Sequence, residues 1–154
     1  MIQILEMLYD KIYCIPKETE TAGIYRHVAG FFYEKGKYFK KSNFITYGLN
    51  KYTDEKSPSI HAEHNALINI SKKCLKPHKS ICLIVLRFSK AKKLGSSKPC
   101  YHCLEKLSHE IDKKNLNIKY IYYSDRDGKV LRTTLDKLKN EEMHYSGYYR
   151  NKFM

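Results

Sequence analysis

The segment from Ser80 to Phe88 constrains this chain more than any other, because Ile81, Cys82, Leu83, Ile84, Val85 and Leu86 follow one another without a polar interruption. An apolar run of this length reads as a strand buried on both faces, at the centre of a sheet with helices on each side. Its flanks supply the helices. Upstream, Ser59 is a fitting N-cap for a helix from Ile60 to about Lys73. Downstream, Pro99 suits the first position of a helix from Cys100 to about Lys114, where its missing N–H costs nothing.

The rest of the chain extends this pattern. Ile4, Leu5, Leu8 and Ile12 recur at helical spacing and predict an amphipathic helix from Ile2 to about Tyr13, ended near Pro16. After a polar linker, Lys17 to Ala22, the run His27 to Tyr33 and a second β-rich run from Tyr38 to Tyr47 are separated by Glu34-Lys-Gly-Lys37, a hairpin signal centred on Gly36. Ile118 to Tyr123 is a further strand. The turn signal Asp125-Arg-Asp-Gly128 then predicts an antiparallel return over Val130 to Thr133. A short helix from about Leu135 precedes a basic, aromatic tail. At 154 residues without an internal repeat, the chain reads as a single domain over 1–154, the tail starting near 140.

Composition narrows the setting. No stretch reaches the roughly 18 apolar residues of a membrane span. The first dozen residues carry Glu6 and Asp10 and lack the basic start and cleavage site of a signal peptide. Five cysteines, an odd count, favour a reducing compartment. An intracellular protein, cytoplasmic or nuclear and not secreted, is expected. The net charge of +13 would attract phosphate-rich partners, but the excess is mostly lysine, 24 Lys to 5 Arg spread along the chain, as A/T-rich codons also produce.

Chemistry concentrates at the starts of the two flanking helices. Cys100 and Cys103, three apart at a helix start, project from nearly one face, so one metal ion can take both thiolates. The exposed N–H groups there favour deprotonated sulfur. His61 can supply a third, imidazole ligand. Three protein ligands and one open position make the catalytic zinc pattern, in which the metal holds a water and lowers its pKa to yield hydroxide. Glu63, two residues after the His, is the natural carrier of that water's proton. The alternative is a closed structural site with a fourth ligand from His64, Cys74, His78 or His102. A structural zinc has no use for Glu63. Cys82, inside the apolar strand, reads as an ordinary buried thiol.

His61-Ala-Glu63 followed by Pro99-Cys-Tyr-His-Cys103 is the H-x-E and P-C-x-x-C signature of zinc nucleobase deaminases. On these residues the chain resembles the cytidine deaminase superfamily from roughly Ile2 to Leu135. The resemblance implies a three-layer α-β-α fold, α/β in class, with a five-stranded mixed sheet and helices on both faces. It also implies one Zn2+ per chain and a hydrolytic deaminase that releases ammonia from a cytosine-type base, with Glu63 as proton shuttle. Gly48-Leu-Asn50 matches a Gly-x-Asn that similar enzymes carry after the second strand, so Asn50 is expected to contact the sugar or base of the substrate. The backbone around Ala62 and the carbonyl of Lys98 are expected, by the same resemblance, to contact the base edge.

Similar enzymes divide after the fourth strand. The tRNA adenosine, deoxycytidylate and polynucleotide cytidine deaminases cross back to a parallel fifth strand. The free cytidine deaminases turn into an antiparallel one, but typically carry Cys where this chain has His61. The expected partner is a small nucleoside or nucleotide. An RNA or single-stranded DNA base is the alternative, for which the loop Ser89 to Lys98 and the tail Tyr145 to Phe153 supply cations and aromatics. A catalytically idle, zinc-stabilised binding protein of the same fold is a third reading. Dimers and tetramers are common among similar enzymes.

Overall fold

The computed structural model describes residues 2–13, 25–34, 41–50, 61–71, 75–76, 80–89 and 93–141. Along the chain come α1 (Ile2–Tyr13), β1 (Tyr25–Tyr33), a 3-10 turn (Lys41–Asn43), β2 (Phe44–Leu49), α2 (Ala62–Ser71), β3 (Ile81–Ser89), α3 (Tyr101–Lys114), β4 (Ile118–Ser124), β5 (Val130–Thr133) and α4 (Leu135–Asn140). The strands form one sheet in the order β2-β1-β3-β4-β5. β1 is antiparallel to β2 and β3, β3 is parallel to β4 with α3 as the crossover, and β5 returns antiparallel to β4.

The apolar run of β3 lies in mid-sheet and divides its side chains between two cores. Leu83 and Val85 join Ala29, Phe31 and Ile121 beneath Ala66, Leu67, Ile70, Leu104, Leu107 and Leu138 of α2, α3 and α4. Ile84, Leu86 and Phe88 join Val28 and Phe32 beneath Ile4 and Leu8 of α1. Strand alternation thus makes three layers from one continuous hydrophobic segment. No helix among the described residues is long and apolar enough to cross a membrane.

The tight return to β5 forms as the turn signal predicts. Asp125 Oδ1 accepts the N–H groups of Asp127 and Lys129, each at 2.9 Å, and Gly128 takes the left-handed region at φ +82°. Two boundaries differ from expectation. The polar residues Lys41, Ser42 and Asn43 form the 3-10 turn, so β2 starts at Phe44 instead of Tyr38. Pro99 lies outside α3, because Cys100 is extended (φ −78°, ψ 165°) and accepts the first helical hydrogen bond from Leu104 N–H. The hairpin turn around Gly36, the entry at Ser57 to Ile60, and Cys14, Lys51, Cys74, His78 and the tail Tyr145 to Phe153 lie outside the described residues.

Candidate metal centre and active site

β2 and β3 run in the same direction, both antiparallel to β1, so Leu49 and Ser89 end at one edge of the sheet. The chains entering α2 and α3 start from that edge. His61 precedes α2 and its carbonyl accepts Asn65 N–H at 3.0 Å, while Cys100 holds the same position before α3 and accepts Leu104 N–H at 3.0 Å. Each helix therefore begins on a residue with a metal-ligating side chain.

The three side chains converge. His61 Nδ1 lies 3.4 Å from Cys100 Sγ and 3.3 Å from Cys103 Sγ, and all three ligand atoms lie within 4.8 Å of one another. A tetrahedral zinc with ordinary Zn–N and Zn–S bonds sets its nitrogen and sulfur ligands about 3.6 Å apart. The triangle fits that ion. Its electrostatics fit as well, since both thiols are buried, at 5% and 3% exposure. The Cys100 thiol is pushed down to about 4, first by the hydrogen bond from Cys103 and further by His61. Cys103 is pushed up by donating that bond, and by burial. Two buried sulfurs this close cannot both be anionic unaided. A dication between them relieves the conflict.

Glu63 completes the group from the first turn of α2. Glu63 is 6% exposed, and the charges of Cys100 and His61 both act on its carboxyl, which places it beside the triangle. Burial holds it above the usual carboxylate range, and the Cys100 charge adds to that. The arrangement can hold a cation and keep a proton-accepting group beside it.

The support for α2 comes from the neighbouring strand. Gly48 permits the approach, because a Cβ there would lie 2.3 Å from Ala66 N and 2.7 Å from Ala62 O. Two residues on, Asn50 Oδ1 accepts Ala62 N–H at 2.8 Å, between His61 and Glu63. Asn65 and Asn69 donate from α2 to the β2 carbonyls of Leu49 and Tyr47, at 2.9 and 2.8 Å, engaging acceptors of an edge strand. Asn50 Nδ2 lies 3.4 Å from Nδ1 of His27, on β1. Burial is the main cause that pushes His27 down to about 4, followed by Arg87 and His61.

α3 is held differently. The segment after β3 folds back, with Ser89 N–H donating to Lys93 O and Gly95 N–H to Arg87 O, both at 2.9 Å. Buried Ser97 then donates its hydroxyl to Val85 O and accepts Ser124 N–H, each at 2.7 Å, while its own N–H donates to Ser124 O at 2.9 Å. Two residues after this knot of hydroxyls comes Pro99.

Of the residues singled out in the sequence, His61, Glu63, Cys100 and Cys103 come together, with Asn50 and Ala62 joined beside them. Lys98 turns its ammonium to Glu141, just past α4. Among the described residues His64 and His102 stand outside the cluster, and Lys106 Nζ donates to His64 Nδ1 at 2.9 Å. Cys82 is buried in β3, its thiol pushed up to about 11 by burial. Sequence reasoning missed His27, Asn65, Asn69, Ser97 and Ser124. Their partners lie far along the chain, so only the polar residues at predicted strand and helix ends hinted at them.

Sheet order, paired helix starts and the N/S/S triangle define a metal site of the zinc-binding deaminase class. The model of the family described as the cytidine and deoxycytidylate deaminase zinc-binding region matches residues 38–118, more than half of the chain. The protein belongs to that family. No curated protein matches the chain.

Proposed function

We propose that the chain is a zinc-dependent hydrolytic deaminase of cytosine-type bases in free nucleosides or nucleotides, with His61, Cys100 and Cys103 holding one ion and Glu63 carrying protons. The observation behind this reading is the triangle of one imidazole nitrogen and two sulfurs, with the buried Glu63 carboxyl beside it. Zinc, when bound, supplies the charge that makes a water nucleophilic near neutral pH. Glu63 takes a proton from the attacking water at its carboxylate and passes it to the ring nitrogen N3. It then takes the second proton and hands it to the departing amino group. The water oxygen becomes the carbonyl at C4 and the amino group leaves as ammonia, so the base gains one oxygen and loses one nitrogen. The family's pattern supports assigning Asn50 and the backbone at Lys98 to the substrate, whereas the expected contact from Ala62 meets an N–H that already donates to Asn50 Oδ1.

The test is ammonia release from cytidine, deoxycytidine, their monophosphates, adenosine, and single-stranded RNA and DNA. Turnover of cytosine nucleosides or nucleotides is expected, with Glu63→Ala keeping its zinc and losing about 100-fold or more in rate. Turnover confined to oligonucleotides would replace the free-substrate reading with the nucleic-acid one. Zinc bound at one per chain with no turnover at all would favour a binding protein.

A further inference from the structure

We propose that His27 is a positioning residue for Asn50, fixing its carboxamide so that the site offers a hydrogen-bond donor to an acceptor oxygen on the sugar of the substrate. The inference rests on the deaminase reading for its substrate, but its structural part stands on four atoms. A backbone N–H can only donate, so the Asn50 atom 2.8 Å from Ala62 N is Oδ1. The other end of the amide, 3.4 Å from His27 Nδ1, is then the NH2 group. An NH2 group can only donate, so His27 Nδ1 is the acceptor and its proton sits on Nε2. One backbone amide thus determines an Asn orientation and, through it, a His tautomer.

The consequence concerns specificity. One Nδ2 hydrogen of Asn50 goes to His27 and Oδ1 is held by the helix start, so the second Nδ2 hydrogen is what the amide presents to a ligand. Without His27 the carboxamide keeps a single anchor and can rotate about it. A nucleoside bears hydroxyl oxygens that accept such a bond, whereas free cytosine has no sugar to receive it.

Two measurements test this. In zinc-loaded protein, long-range proton–nitrogen correlation of the His27 ring should show Nδ1 bare and Nε2 protonated. A proton on Nδ1 would overturn the proposal, whether or not the protein turns anything over. In kinetics, His27→Phe removes the acceptor and should raise KM for cytidine about tenfold with kcat and zinc content little changed. His27→Gln, which keeps an acceptor oxygen, should recover most of that loss, and deamination of free cytosine should not distinguish the three proteins. Equal KM values in wild type and His27→Phe, or a His27→Gln no better than His27→Phe, would count against it. Absence of turnover by the wild type would sink the deaminase reading and leave the tautomer result to decide this one.

Discussion

The helices α2 and α3 both begin at the site, yet their first turns are secured by opposite means. At α2 the strand β2 presses against helix backbone through Gly48, and Asn50 reaches across to Ala62 N–H. At α3 it is the entering chain that makes the attachment. The chain entering it is knotted to β3 and β4 by the hydroxyls of Ser97 and Ser124. The first device depends on the absence of a side chain and tolerates no added atom. The second depends on buried polar groups, each of which must keep its partner. One supplies the imidazole and the carboxyl, the other both sulfurs.

Substitutions should break the two devices to different degrees. Gly48→Val forces β2 and α2 apart where a Cβ already meets backbone at 2.3 Å, and should cost more than about 3 kcal/mol in denaturant unfolding. A variant as stable as wild type would show that the close approach does not hold α2. The next effect is a pH dependence on the α2 side. His27 falls to about 4 in the folded protein from 6.5, so the unfolded chain binds more protons between those values. Stability should therefore drop as pH falls from about 6.5 to 4, by up to about 3 kcal/mol from this group. Burial sets most of the shift, and of the charged and titratable neighbours Arg87 and His61 add to it while Cys100 opposes it. His27→Gln should lose less stability than wild type over that range in paired unfolding curves. Parallel curves would remove His27 from the account.

On the α3 side, Ser97→Ala deprives the buried Ser124 N–H of its acceptor and should cost about 2 kcal/mol. A neutral result would mean that the hydroxyl knot does not secure α3. The smallest change should come from Lys98→Ala, which removes a partly exposed ion pair with Glu141 and should cost less than about 1 kcal/mol by the same unfolding assay.

What the sequence revealed follows the range of the forces involved. The alternation in β3, the helical stripe of α1 and the Asp125 to Gly128 turn are local, and each element forms close to where its residues predict. The convergence of His61, Cys100 and Cys103 was readable because their spacing repeats a known chemical pattern. Asn50 was readable only as a match to relatives, and its bond to Ala62 was not, since strand-to-helix pairing is decided by packing. His27 was invisible for the same reason, and Pro99 was misplaced because Cys100, an unusual cap, takes the extended position before the helix. The chain also combines His61 with an antiparallel β5, a mixture that the sequence already showed and the fold now contains.

That the donor atoms come from two helix starts, with the whole of β3 between them in the chain, makes metal affinity a property of the fold. An ion held by His61 together with Cys100 and Cys103 would tie α2 to α3, and its binding free energy would include that docking. Reciprocity follows, because whatever steadies either helix start must strengthen metal uptake by the same factor with which the metal steadies it. By this linkage Ser97 and Gly48, which secure the two helix starts, would both be determinants of how tightly an ion is held there.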